Sequence, residues 1–142
     1  MGIKRDKIDD LFSKCVRERA SWTCEVCGKY YPEGNRQGLH CSHFYSRRYK
    51  GLRYHPLNAA AHCFACHQKL GGNPIDFNAW IEGHLGKVKT EALRVMSSAI
   101  CKLTKADRED IYQNLKASLE RMNFERAAGD QGRLEFESPY ND

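Results

Sequence analysis

Long apolar stretches are absent from this sequence. No hydrophobic run approaches the ~18 residues that a membrane-spanning helix requires, which excludes an integral membrane protein built on helices. The first six residues also lack the apolar core of a secretory signal. We therefore expect a cytoplasmic protein.

Acidic residues are missing from a long central stretch, residues 34–75. The same stretch carries several basic residues, namely Arg36, Arg47, Arg48, Lys50, Arg53 and Lys69. Lysines and arginines without neighbouring acids favour a polyanionic partner, because neutralising phosphates releases counterions. The charge pattern thus predicts nucleic acid as the partner and does not by itself distinguish DNA from RNA.

A disulfide framework is also excluded, because the cysteine count of seven is odd and a reducing compartment is expected. Four of the seven form two Cys-x-x-Cys pairs, Cys24 with Cys27 and Cys63 with Cys66. Two such pairs can close a tetrahedral four-cysteine zinc site. We predict a structural zinc that holds the two segments together. A redox role is disfavoured, since no thioredoxin-like βαβ pattern accompanies the pairs.

Hydrophobic periodicity predicts a mainly helical chain around a short strand. The predicted elements are an N-terminal helix over 6–20, a strand over 39–45, short helices over 63–70 and from 74 to about 85, a helix over 89–101 and a long helix from 105 to about 126. Asn73 is suited to cap the helix that Pro74 begins, and Thr104 to cap the last helix. We divide the chain into an N-terminal helix (1–22), a zinc-stabilised core (23–86), a C-terminal helical region (87–128) and a flexible tail (129–142).

Histidines are concentrated between and beside the cysteine pairs. His43 lies near the end of the predicted strand, just before the basic loop. A neutral imidazole there can take a proton from water near neutral pH. His67 follows Cys66 on the first turn of a short helix, where an imidazole is a good ligand for a divalent metal.

The order of these motifs resembles the HNH, or ββα-metal, nucleases with a zinc-knuckle scaffold, and more closely the phage NinG (Rap) recombination proteins. The resemblance covers roughly residues 8–86. It rests on Cys24-x-x-Cys27-Gly28, His43-Phe44-x-Ser46-Arg47, Arg53-Tyr54-x-x-x-Asn58, Cys63-x-x-Cys66 and Gly72-Asn73-Pro74.

The resemblance implies an α+β fold, with a small ββα-metal core fastened by the four-cysteine zinc site and flanked by helices. By position, His43 matches the general base of the family and Asn58 the residue that braces its loop. His67 matches a metal ligand. Many HNH enzymes carry an aspartate directly before the base, whereas this chain has Ser42.

The partners of His67 at the catalytic metal are therefore open. His40, His62 and Asp76 are the candidates. The resemblance implies Mg²⁺ or Mn²⁺ there. A histidine-rich site would suit a transition metal, whereas Mg²⁺ prefers carboxylate and water oxygens.

The implied function is a metal-dependent DNA endonuclease that cuts branched recombination intermediates, such as a Holliday junction or a D-loop, in a phage-infected bacterial cell. His43 would activate water, and Arg47, Arg48, Lys50 and Arg53 would hold the phosphates. A homodimer would suit a junction-cutting enzyme. The alternative is a zinc-stabilised DNA-binding module without catalytic activity.

Overall fold

The structure, a computed structural model, describes residues 3–141. These residues form an α+β fold with a two-stranded sheet. The elements are α1 (Lys7–Arg19), β1 (Leu39–His43), β2 (Ala59–Cys63), α2 (Phe64–Gly71), α3 (Pro74–Leu85), α4 (Lys87–Ser98) and α5 (Lys105–Ala127), and a single 3₁₀ turn (Pro56–Asn58) precedes β2. No helix within this range is both long enough and apolar enough to cross a membrane.

Helix α1 begins at a capping box. The Asp6 side chain accepts a hydrogen bond from the backbone N–H of Asp9, and the Asp9 side chain accepts one from the N–H of Asp6. The two bonds satisfy backbone donors that a helix otherwise leaves unpaired. The apolar face of α1 packs on α5 in the main core, which includes Phe12, Cys15, Val16, Ile111, Leu115 and Met122. The ends of the chain are thereby joined in one core.

The two strands are antiparallel, with His40 opposite His62 and His43 opposite Ala59. Because side chains alternate along a strand, the sheet has two different faces. One face, with Leu39 and Ala61, belongs to the main core against α1. The other carries His40 and His62 and packs against α2 and α3.

Most predicted elements are confirmed within a few residues. The strand is shorter than predicted, and the helix expected over 89–101 spans Lys87–Ser98. Pro74 is the first residue of α3 and Asn73 occupies the N-cap position, both as predicted, but the Asn73 side chain makes no capping hydrogen bond. The Asn73 side chain donates instead to the Lys69 carbonyl at 2.9 Å. Strand β2 had no signal of its own, because Ala59–Cys63 is fully buried and shows no alternation.

The segment after α5 forms no helix or strand, yet it contacts the core. Phe136 is buried and packs edge-on against Phe12. The Tyr140 hydroxyl accepts a hydrogen bond from the Tyr54 N–H at 3.0 Å and donates one to the Lys50 carbonyl at 2.6 Å. These contacts differ from the flexible tail that we expected over 129–142. Phe136 is held against α1, and Tyr140 against the loop between the strands.

A buried ion pair connects that loop to α1. Arg53 donates through Nε and Nη2 to the two carboxylate oxygens of Asp9, at 3.0 and 2.6 Å. Both residues are less than a tenth exposed. A bidentate pair of this kind has both charge and geometric specificity.

Replacing Arg53 by Met should lower the free energy of unfolding by about 3 kcal/mol, since removing one partner leaves the Asp9 charge buried. Denaturant unfolding followed by circular dichroism would measure the change. The control is Arg94→Met, which removes an exposed pair with Glu91 and should leave the midpoint nearly unchanged. Equal stability of the two variants would contradict this role of Arg53.

Candidate functional site

Four cysteine thiols converge next to the sheet. The Sγ atoms of Cys24, Cys27, Cys63 and Cys66 all lie within 4.8 Å of one another. A tetrahedral zinc with Zn–S bonds of about 2.3 Å would separate its sulfurs by about 3.8 Å. The Cys27 and Cys63 sulfurs are 3.8 Å apart. The predicted grouping is thus confirmed, and the cluster fits a structural metal such as zinc.

Local backbone structure places each pair. Gly28 has a positive φ of 79° and donates its N–H to the Cys24 carbonyl, which closes the tight turn around the first pair. Cys63 ends β2 and is the N-cap of α2, with its sulfur accepting from the Cys66 N–H at 3.5 Å. The second pair is thereby fixed at a strand-to-helix junction.

Glu25, inside the first pair, docks this turn on β2. Its N–H donates to the Ala61 carbonyl at 2.8 Å, and its carboxylate accepts from the Ala61 N–H at 2.7 Å. The Cys24 sulfur accepts from the Cys63 N–H at 3.2 Å. The two pairs are therefore held together by main-chain and side-chain bonds as well as by their sulfurs.

One thiol of the cluster, that of Cys63, is shifted toward the form that binds metal, whereas burial raises the pKa of Cys66. Burial raises the pKa of Cys63, but hydrogen bonds from Cys66 and from the neighbouring thiols outweigh burial and lower this pKa to about 7. The thiolate is the form that coordinates metals. A thiol that ionises easily makes the cluster a better ligand set at neutral pH.

His43, the predicted base, is half-buried at the end of β1 on the face toward α1. Its ring lies 5.6 Å from that of Phe12, and its Nε2 is 3.0 Å from the Arg53 carbonyl oxygen. A carbonyl oxygen only accepts, so Nε2 carries the proton and Nδ1 keeps a free lone pair. Burial lowers the pKa of His43, although the Arg53 carbonyl and Asp9 act in the opposite direction.

Asn58, the predicted brace, is fully buried at the end of the loop between the strands. Its side chain accepts from the Tyr45 N–H at 2.8 Å and donates to the carbonyls of Tyr45 and Leu52, at 2.9 and 3.0 Å. One amide therefore joins both sides of the loop. The same loop presents the Arg53 carbonyl to His43.

The predicted metal-ligand histidines lie on the opposite face of the sheet from His43. His40 stacks on His67 of α2, with ring centroids 5.1 Å apart and planes 9° from parallel. His62 is fully buried and contacts Trp80 edge-on at 4.6 Å. Within residues 3–141, His40 Nε2, Ser42 Oγ and both ring nitrogens of His62 are buried without a hydrogen-bond partner.

A second metal site is not preformed among these side chains. In the described part of the chain, the cysteine cluster is the one group of three or more candidate ligand residues within metal-binding distance. His40 and His67 are neighbours, whereas Asp76 is exposed in the first turn of α3. The structure thus brings two of the four candidates into contact.

The predicted DNA-binding residues have different environments. Arg53 is buried against Asp9, which differs from our expectation of a phosphate-binding residue. Arg47 is partly buried and donates to the Ile3 carbonyl and to Asp9. Arg48 and Lys50 are exposed and form no ion pair within residues 3–141. These last two are the ones available to a polyanion.

Sequence reasoning missed the residues that support His43 indirectly. Asp9 holds the Arg53 side chain, and Tyr140 holds the backbone of Lys50 and Tyr54. The pattern Asp6-x-x-Asp9 before an apolar run was a detectable capping signal, although it gives no indication of Arg53. Nothing near Tyr140 in the sequence indicates its partners.

Comparison with known proteins finds no matching family model and no match among curated proteins or solved structures. The resemblance to HNH nucleases therefore rests on the motifs quoted above.

We expect the native protein to contain about one zinc per chain, because four thiolates satisfy the coordination of that ion. Elemental analysis by mass spectrometry would measure the metal. Cys63→Ser should lose the zinc and most of its helical circular dichroism, since structural zinc contributes to folding directly. Cys101→Ser, at a cysteine outside the cluster, should keep both. Metal-free native protein, or a stably folded Cys63→Ser variant, would contradict the assignment.

Proposed function

We propose that this chain is a metal-dependent DNA endonuclease of the HNH type, in which His43 is the general base. The observation that carries the proposal is the hydrogen bond between His43 Nε2 and the Arg53 carbonyl. It fixes the tautomer and directs the free lone pair to Nδ1. A base for hydrolysis needs this combination of a defined tautomer and a neutral ring.

The protonation state supports the same role. The pKa of His43 is lowered chiefly by burial, so the ring is neutral at pH 7. A neutral imidazole can accept a proton from water that attacks a phosphodiester. The imidazolium that forms lies near Asp9, whose charge favours it. The surroundings therefore favour the neutral base over its conjugate acid, because burial outweighs the charge of Asp9.

Asn58 and Arg53 act as positioning residues for this base. The Asn58 amide closes the loop through Tyr45 and Leu52, and the Arg53 side chain fixes the loop to α1. The carbonyl that orients His43 thus belongs to a residue held from two sides. This arrangement preorganises the base before substrate binds, which is how enzymes avoid reorganisation during the reaction.

The residues suited to a catalytic divalent metal are His67 and His40, with His62 behind them. Their ring contact and the unpartnered, buried nitrogen of His40 support a role as ligands. Because these side chains lie on the opposite face of the sheet from His43, a metal held there would stabilise charge on a phosphate at that face and not on one beside His43. An all-histidine donor set favours a transition metal such as Zn²⁺, Fe²⁺ or Ni²⁺ over Mg²⁺ or Mn²⁺, which prefer oxygen ligands.

The alternative is a zinc-stabilised DNA-binding module without catalysis. The observation that favours it is that residues 3–141 contain no second group of three candidate ligands. The family resemblance alone implies three further points: branched recombination intermediates as substrates, a homodimer and a phage origin. We retain them as parts of the proposal that cleavage assays would test.

Cleavage of a labelled four-way junction and of a linear duplex with Mg²⁺, Mn²⁺ or no added metal would separate the two functions. We expect metal-dependent cutting by the wild type, and a rate about 10²–10⁴-fold lower for His43→Ala, since that is the usual contribution of a general base. His84→Ala, at a histidine in contact with Glu25 and Trp80, is the control and should retain cutting. Binding without cutting under every condition would favour the binding module.

Salt dependence of duplex binding would test the basic loop. Replacing both Arg48 and Lys50 by Ala should reduce the slope of log K against log salt by about 2, because each phosphate contact contributes roughly 0.9. Lys116→Ala, at an exposed position on α5, is the matched control and should leave the slope unchanged. An unchanged slope in the double variant would place the DNA elsewhere on the surface.

A further inference from the structure

A groove separates the basic loop from the C-terminal end of α4. Arg48, Tyr49 and Lys50 line one wall of a 240 Å³ cavity, and Ser97 and Cys101 lie on the other wall. None of the residues that line this cavity is acidic. A Cβ added to Gly51 would meet the Cys101 side chain at 3.4 Å, so the loop lies in direct contact with the segment after α4.

A second cavity of 290 Å³ extends the groove. It shares Gly51, Met96 and Cys101 with the first cavity and adds Lys102. One acid, Asp107, also lines it, and the carboxylate of Asp107 accepts a hydrogen bond from the Thr104 N–H. Lys102, like Arg48 and Lys50, is exposed and has no ion-pair partner among the described residues. Three unpaired cations therefore line one continuous groove.

Tyr49 gives this groove an aromatic surface. The residue is 43% exposed, and its ring makes a T-shaped contact with Tyr45 at 5.5 Å. The Tyr45 contact orients the ring while leaving part of its surface open. Exposed aromatic rings beside a line of cations are the usual means of binding single strands, because bases stack on the rings and phosphates contact the cations.

We propose that this groove binds an unpaired strand of DNA, with a base stacked on Tyr49 and phosphates contacting Arg48, Lys50 and Lys102. A single strand can place a base on the exposed face of Tyr49, whereas the bases of a duplex are stacked on one another and are not free to do so. The inference deepens the proposed nuclease function by naming a substrate with an unpaired segment. Strand binding in the groove does not require the nuclease function; only cleavage of the bound strand rests on it.

The C-terminal segment fixes the shape of the groove. The Tyr140 hydroxyl bonds to the backbone of Lys50 and Tyr54, and Tyr140 itself lines the second cavity. The cations of the loop are thus presented by a backbone that is held in place. A preformed groove loses less conformational entropy when a strand binds.

Fluorescence anisotropy with labelled dT12 would test the site without added divalent metal, so that binding is measured apart from cleavage. We expect dT12 to bind more tightly than a 12-base-pair duplex. Tyr49→Leu should weaken dT12 binding about tenfold, whereas Tyr49→Phe, which keeps the ring, should not. Phe124→Leu, at an exposed aromatic on α5, is the control and should leave binding unchanged. Lys102→Ala should reduce the salt slope by about 0.7.

Alkylation of Cys101 reports where the strand binds, separately from the anisotropy measurement and from any cleavage. Mass spectrometry of proteolytic peptides, which identifies the modified cysteine, should show that bound dT12 slows modification of Cys101, because this residue lines both cavities. The buried Cys15 should remain unmodified with and without DNA.

If Tyr49→Leu binds dT12 as tightly as the wild type and dT12 does not protect Cys101, the groove is not the binding site. Equal affinity for dT12 and the duplex, with both reduced by Tyr49→Leu, would overturn the preference for an unpaired strand. Tighter binding of U12 than of dT12 would overturn the assignment to DNA. If the wild type protects Cys101 but cuts no substrate, the groove stands and the nuclease function fails.

Discussion

The buried pair between Asp9 and Arg53 is the constraint on which the rest of the proposed site depends. The Arg53 side chain is anchored on α1, while its carbonyl oxygen orients His43. Arg53 therefore links the position of α1 to the orientation of His43 at the end of β1. A buried charged pair is not an efficient way to gain stability. Its value here is geometric, because two directed hydrogen bonds fix the loop more narrowly than apolar packing would.

The cysteine cluster supplies the other fixed point of the core. It holds the turn after α1 to the junction of β2 and α2, and Glu25 adds two bonds to Ala61 of β2. The sheet between these two fixed points has only two strands. An isolated pair of strands is marginally stable in water. The cysteine cluster fastens one end of the sheet at the junction with α2, and the ion pair fastens the loop that joins the strands.

The sequence was sufficient to predict the helices and the cysteine grouping, because the first depend on local patterns and the second on two Cys-x-x-Cys motifs that can be read directly. It was insufficient for β2, whose five residues are all buried and lack alternation. It also misjudged Arg53, since a basic residue in an acid-free stretch looks solvent-exposed unless a distant partner is known. Asp9 lies 44 positions away along the chain. Strand alternation alone predicts that His40 and His43 point to opposite faces of the sheet. Which helix covers each face depends on how α1 and α2 pack, and the sequence does not give that.

The hydroxyl of Tyr140 has a consequence for how the chain acquires its folded form. The loop between the strands is secured by a residue 86 positions after Tyr54, and α1 completes its core only against α5. Contacts of such long sequence separation form slowly, because the entropy of loop closure must be overcome first. During synthesis the N-terminal parts emerge first and wait for their partners. The loop that carries the Arg53 carbonyl would therefore be secured only after residue 140 has been made, whereas the cysteine cluster, within residues 24–66, does not depend on that contact.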